Sequence, residues 1–377
     1  MIRQPDNLRS AGFSLIELMV GLVIGLLATL VVLQVFSAFE GQKRTTAGTS
    51  DAQTSGNVGL YMIKRELASA GYGLNPIGVQ SVPDSPLECS TIDYSDSGVT
   101  TLTPVTITDG GTGSDTITIR YGTTGDGGSF TSVANIGTAG TNIAAVNDNQ
   151  ACKPDDIVLM VSSQTCGLTK TAHSWNPATD TTLIQLTANP GMGTALNNNT
   201  FLSCLGQWKE TTFQINPNYD PTDPNNSQAY LAQDGAPVVT GIVNIQAQYG
   251  ISDTPQTNKV THYVDAVDGT AYGNFGPGMS RSERNRIKVV RVAVVARNGL
   301  MEKSNVTDAY NGKACSSLTS DSPLGVCAWS GGSSNTIPIS PAPAIDLSKD
   351  PDWRRYRYRV FETIIPLRNV IWYNQTL

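Results

Sequence analysis

Hydrophobic positions are distributed very unevenly along this chain. From Phe13 to Phe39 the sequence FSLIELMVGLVIGLLATLVVLQVFSAF holds one formal charge, Glu17. As a helix those 27 residues would span roughly 40 Å, enough to cross a bilayer with some tilt. Past Glu40 a Thr- and Gly-rich stretch over 41–57 weakens the helical pattern. Leu60, Ile63, Leu67 and Ala70 then recur at spacings of three, four and three, one apolar face of a helix. Gly71 and Gly73 are stop signals. From about Pro76 the pattern turns to β, with Gly, Asn and Pro turns between short apolar runs. The runs predict strands at Thr116–Tyr121, Ile157–Ser162, Leu183–Thr187, Thr211–Ile215, Val238–Tyr249, Ile287–Arg297 and Tyr356–Arg368. Residues 90–150, rich in Gly, Thr and Ser, read as long loops or short surface strands. The long C-terminal strands carry most of the large β-branched residues and are expected to form the core sheet. No repeat of fixed period is present.

Charge changes this picture in one respect. Only 15% of the 377 residues are charged, well below the quarter or so of an ordinary soluble domain, so a membrane-inserted end with a polar body fits better than a uniform cytosolic globule. The twelve residues before Phe13 carry Arg3 and Arg9 against Asp6, and no basic residue follows the apolar run immediately. That asymmetry holds the N-terminus in the cytoplasm and sends the remainder outward. The run is too long for a cleaved secretory signal. A plain transmembrane anchor does not account for Glu17, because a carboxylate in an apolar span costs about 2.5–3.5 kcal/mol at the helix centre and asks for a partner.

The string AGFSLIELMVGLVIGLL resembles the signal of type IV prepilins and type II secretion pseudopilins. In that family a short basic leader ends in Gly, the next residue is a methylatable Phe, and Glu stands fifth in the mature chain. Gly12, Phe13 and Glu17 occupy those positions. The resemblance implies cleavage after Gly12 by prepilin peptidase and N-methylation of Phe13. It also implies a registry role for Glu17, neutralising the freed amine of a neighbouring subunit; two buried charges that compensate one another cost far less than either alone. Further on, VVTGIVNIQAQYGISDT followed by THYVDA, then RIKVVRVAVVARNG and the terminal YRVFETIIPLRNVIW, are similar to strands of the PilW minor-pilin family.

That resemblance implies an α+β, pilin-like fold: a long N-terminal α-helix packed on a large antiparallel β-sheet domain. Its divisions would be a leader at 1–12, a transmembrane and filament-core helix at 13–39, an amphipathic continuation at 40–75 and a periplasmic β-rich domain at 76–377. It further implies residence in the inner membrane and then in the pilus, at the tip. Implied partners are other minor pilins, the major pilin, prepilin peptidase, the inner-membrane assembly platform and a tip adhesin. A J-type pseudopilin of a type II secretion system is the nearest alternative, and a membrane-anchored periplasmic adhesin or enzyme is a more distant one.

Cys89, Cys152, Cys166, Cys204, Cys315 and Cys327 contain no Cys-x-x-Cys pair, which argues against a zinc ribbon or thioredoxin-like motif. Outside the cytoplasm structural disulfides are the default. Six cysteines allow fifteen connectivities; Cys315 with Cys327 is the favoured pair, because it closes a short loop.

Candidate chemistry elsewhere is sparse. Residues 110–118, GGTGSDTIT, match one copy of a calcium-binding repeat with Asp115 as the acid, although such sites need stacked copies. Asp220 and Asp223, in NPNYDPTDPNN, offer oxygen to a hard cation without EF-hand spacing. Calcium is therefore a minor candidate and no other cofactor is implied. His173 and His262, the only two histidines, belong to no catalytic signature, and no nucleophile elbow, P-loop or carboxylate pair is evident. Arg281, Arg284, Arg286, Lys288, Arg291 and Arg297 crowd one segment. Period-two alternation puts Arg355, Arg357 and Arg359 on one face and Tyr356, Tyr358 and Val360 on the other. The net charge of −6 argues against nucleic acid as the partner of these arginines. A solvated or subunit-facing arginine face that meets carboxylates is expected instead.

Overall fold

A computed structural model describes residues 14–74, 89, 91–94, 97–111, 113–136, 142–149, 152–162, 165–188, 200–223, 227–307, 315, 324–329 and 342–371. Helix α1 covers Leu15–Ser69 without a break. The strands follow in chain order: β1 (Thr91–Asp93), β2 (Val105–Thr108), β3 (Thr116–Gly122), β4 (Thr131–Ile136), β5 (Ile143–Val146) and β6 (Ile157–Ser162). Next come β7 (Thr165–Lys170), β8 (Leu183–Gln185), β9 (Thr200–Gly206), β10 (Trp208–Ile215), β11 (Tyr230–Gln233) and β12 (Ala236–Thr240). The last six are β13 (Ile242–Ile251), β14 (His262–Val264), β15 (Ile287–Arg297), β16 (Gly325–Cys327), β17 (Ala344–Asp346) and β18 (Tyr358–Pro366). Two short helices, α2 (Arg281–Arg286) and α3 (Arg368–Ile371), flank β15 and β18.

The fold is α+β, with one long N-terminal helix and a β-domain of several sheets. A seven-stranded sheet has the order β1-β7-β6-β9-β4-β5-β8, a five-stranded sheet β12-β11-β10-β3-β2, a four-stranded sheet β14-β13-β15-β18, and β16 pairs with β17. All described pairings are antiparallel except β1 with β7. The chain divides into two compact units, Met1–Asp51 and Ala52–Leu377.

Within the second unit, the last turns of α1 supply the core face that the spacing predicts. Ala52, Ile63, Leu67 and Ala70 are buried and Leu60 packs beside them. Gly71 and Gly73 then turn the chain with φ of +74° and +90°, a conformation in which glycine carries no Cβ penalty. The helix end is tied down from two sides: Asn369 Nδ2 donates to Ala70 O at 3.0 Å, and Gly71 N donates to Arg120 O at 2.9 Å.

Within the four-stranded sheet β13 and β15 are buried on both faces, which explains the Val-rich, nearly continuous apolar run of β15. Val290, Val292, Val294 and Ala296 join Ile245, Ala247 and Tyr249 in the main core. Ala293 and Val295 face a separate cluster formed by Trp329, Ile345, Leu347 and Trp353.

Several sequence expectations need correction. Residues 90–150 are neither long loops nor merely surface strands: β2, β4 and β5 run through them beside the expected β3, and together they bury Val105, Ile107, Ile117, Ile119, Val133, Ala144 and Val146. Small β-branched side chains there alternate inward, so few large groups are needed. The run Val238–Tyr249 is two strands, β12 and β13, separated at Gly241, whose φ is +78°. The last strand is shorter than Tyr356–Arg368. A 3-10 turn at Trp353–Arg355 precedes it and α3 begins at Arg368. β7 and β9, which flank β6, have no counterpart among the expected strands.

Candidate functional site

The N-terminal part of α1 is a surface without a cover. Every large apolar side chain described from Leu15 to Phe39 is exposed, Leu15 by 79%. The hydroxyls in this segment are hidden by the helix itself: Thr29 Oγ1 donates to Leu26 O at 2.8 Å and Ser37 Oγ to Gln34 O at 3.0 Å. Glu17 sits in the first turn, its backbone N bonded to Ser14 O at 3.0 Å, and it is the one acidic or basic side chain between Leu15 and Phe39. An 18-residue window of α1 reaches a mean hydropathy of 2.6, so length and composition suffice to cross a membrane.

A feature the motif reading passed over lies beside Glu17. Gly21 and Gly25 follow at intervals of four, on the same face, and a Cβ at either would meet nothing within 4 Å. Small-xxx-small spacing lets helix backbones approach closely in an apolar phase; the GLVIG string alone carries that signal. Gly12 and Phe13, with the whole expected leader, lie outside the described residues.

At the other end of the chain, β13, β15 and β18 form the sheet on which α1 closes. Glycines on the helix make room for it: a Cβ on Gly56 would collide with the ring of Phe361, and Gly59 lies against Leu231 and Ile242. Glu66 is buried between helix and sheet, accepting from Tyr121 Oη at 2.7 Å, Arg65 at 3.1 Å and Lys209 Nζ at 3.4 Å. Burial pushes its carboxyl up, but these three donors outweigh burial and hold it below the ordinary value.

Two family models match the chain. Residues 7–33 match the prokaryotic N-terminal methylation motif, and residues 222–369 match type IV pilus-assembly protein W. Over its C-terminal part the chain is similar to the PilW family, and at its N-terminus it carries the methylation signal of pilins. No curated protein and no solved structure matches it. The W match takes in β11 to β18, and so the whole four-stranded sheet; the methylation match takes in Glu17, Gly21 and Gly25. This is a type IV pilus-related pilin, anchored through an apolar N-terminal helix, whose family associates with other pilins.

The arginines of this pilin are mostly internal struts. Arg297 bonds Asp350 at 2.8 Å and stands 4.2 Å from the Tyr356 ring. Arg291 bonds Glu362 at 2.8 Å and lies 4.3 Å from the Trp329 ring. Arg286 donates to Ser252 O and Tyr272 O, and Arg284 to Thr103 Oγ1. Lys288 is buried on Pro255 O and Asn285 O, and burial pushes its amine down to about 8. The expected common face of Arg355, Arg357 and Arg359 is not formed. Arg355 lies in the 3-10 turn and bonds Asp352, Arg357 bonds Glu302, and only Arg359 is left exposed. Chain folding at Trp353 breaks the alternation before β18 starts. Tyr358 and Val360 do pack inward, against the Trp329 cluster.

Asp115, the acid of the calcium-repeat match, has a structural role in this fold. Its carboxylate is buried and turned to backbone donors, Gly110 N at 2.8 Å and Ala247 N at 2.7 Å. Ser114 Oγ accepts from Ile245 N, and Asp115 N donates to Ile245 O. The Gly-rich loop thus completes the edge of β13. Burial raises the Asp115 carboxyl to about 7. Asp220 caps its own turn, accepting from Thr222 N and Oγ1, bonds that lower its pKa. No group of three or more His, Cys, Asp or Glu able to hold a metal occurs among the described residues, so Asp220 and Asp223 are not brought to a third acidic ligand.

His173 pairs with Asp155 at 2.7 Å on the surface, and His262 stacks on Tyr272 at 3.9 Å between centroids. They lie on different elements. Disulfides join Cys89 to Cys166, Cys152 to Cys204 and Cys315 to Cys327. The first ties the segment before β1 to β7, the second crosses the cluster around Trp175, and the third anchors the segment before β16.

Proposed function

We propose that this protein is a non-catalytic minor pilin that primes assembly of the type IV pilus and takes a place in its tip complex. In this reading it is cleaved after Gly12, methylated on Phe13, and held in the inner membrane until assembly. The observation that carries the proposal is Glu17, the lone carboxylate of the apolar span from Leu15 to Phe39, whose large apolar side chains are all exposed in the single chain. Such a surface is stable in lipid or among like helices, and a charge upon it is stable only when paired. The freed amine of a neighbouring subunit would supply that pair. A β-domain of some 300 residues is large for a repeating filament unit, which favours a sparse or terminal position.

Mass spectrometry of sheared surface filaments and of membranes tests this directly. A peptide beginning with N-methylated Phe13 is expected in both, and Glu17→Ala is expected to keep the protein in the membrane and out of filaments. Absence of that peptide from both fractions would sink the processing claim. A deletion strain that keeps its pili and loses protein secretion would assign the chain to a secretion pseudopilus.

A further inference from the structure

The sheets end in edges of very different length. Among the described residues the marginal strands β1, β8 and β14 run three residues, β2 four and β12 five. Short edges are one of the ways proteins avoid unwanted strand pairing. β18 is also marginal and runs nine.

The side of β18 that faces outward follows from its register. Lys288 O accepts from Leu367 N and Arg357 O from Asn298 N, while Arg297 N turns the other way, to Gly241 O. In an antiparallel ladder bonded and non-bonded pairs alternate. The backbone groups of Tyr358, Val360, Glu362 and Ile364 therefore point away from β15. No described backbone group bonds them. The 302–307 segment bonds to Arg354, Arg355, Tyr356 and the side chain of Arg357, and none of its bonds reaches Tyr358. Pro366, with no N–H to offer, closes the open ladder.

The side chains narrow the partner. Ile364 is 49% exposed. Glu362 is already held by Arg291. Arg359 and, just past the strand, Arg368 are exposed and have no ion-pair partner among the described residues. The charges this edge leaves free are both positive. A main-chain ladder selects an extended peptide, and the free arginines select an acidic one.

We infer that the outer edge of β18 is a docking site for an extended, acidic segment of a neighbouring pilin subunit, which adds to the four-stranded sheet as a fifth strand. This rests on the pilin reading given under Proposed function. The test places the photo-crosslinker benzoylphenylalanine at Ile364 in the full-length protein, with Val238 on β12 as a control position, in membranes and in sheared filaments. The expected adduct at Ile364 maps to an acidic extended stretch of another pilin. Val360→Pro, which blocks an outward N–H and leaves the β15 ladder whole, should reduce it. Arg359→Glu, on an exposed side chain, tests the same site without touching the backbone. Either should lower the adduct about tenfold, a change of about 1.4 kcal/mol, because like charges or a lost ladder bond at an interface cost at least that much. An adduct to a second copy of this chain or to lipid, or no adduct in filaments that contain methylated Phe13, overturns the inference and leaves the assembly reading standing. Failure of Phe13 processing sinks both.

Discussion

The ring of Phe361 on β18 occupies the space that a side chain on Gly56 of α1 would need. The close approach of helix to sheet depends on that vacancy. Gly56→Ala gains up to about 1 kcal/mol of helix propensity, but overpacking of this kind costs about 1–3 kcal/mol. Net destabilisation is expected in chemical denaturation of the soluble β-domain with its helix. Phe361→Leu in the Gly56→Ala background should restore part of the loss, and a simple sum of the two single effects would contradict the packing account.

Glu66 and Asp115 predict opposite pH dependences. Donors from Tyr121, Arg65 and Lys209 depress the Glu66 carboxyl below its ordinary 4.5 in the folded state. The stability it contributes is present above pH 4.5 and lost as pH falls through the lower, folded value. Glu66→Gln should cost about 1–3 kcal/mol near neutrality, as expected for a buried bond to a charged group, and the cost should shrink in acid.

Asp115 runs the other way. Burial raises its carboxyl from 3.8 to about 7, so the folded state holds the proton more tightly than the unfolded chain. Its contribution is complete below about pH 4 and declines as pH rises to about 7. Asp115→Asn should flatten the slope of unfolding free energy across that interval. An unchanged slope would show that the carboxyl titrates normally.

The disulfides should contribute according to the loops they close. Cys315 and Cys327 are separated by 12 residues and Cys152 and Cys204 by 52, which corresponds to about 3 and about 4 kcal/mol in the chain-entropy account. Pairwise Ser substitution, followed by thermal unfolding, should show the larger loss for the second pair. That pair also crosses the small core of Val158, Met160, Trp175 and Leu202.

Gly21→Leu or Gly25→Leu should leave membrane insertion intact, since Leu is favoured in apolar spans. Incorporation into filaments should fall, because close helix approach needs the small side chains. Equal recovery of the variants and the parent in sheared filaments would remove the glycines from the interface.

Legibility of the chain follows the range of the interactions involved. α1, β6 and β15 are set by local periodicity, and their bounds are readable from the apolar spacing. β18 is not, because Trp353 buries in a cluster with the remote Ala293, Val295 and Trp329 and the chain bends where alternation alone would continue a strand. Gly241 splits β12 from β13 through a left-handed turn that a Val- and Ile-rich run conceals. The role of Asp115 was hidden more deeply: its partners Ala247 and Ile245 lie some 130 positions away, and a Gly-rich loop looks the same whether it holds an ion or a strand edge. Arg291 and Arg297 likewise found acids far along the chain, which no local count of charge could show.

The sealing of β13 by that loop has a consequence for growth. With Ser114 and Asp115 on one margin and β18 unpaired on the other among the described residues, the inferred docking would give the sheet a valence of one. It would accept a strand without offering a second site of equal length, so a lateral series built through it would terminate at this subunit.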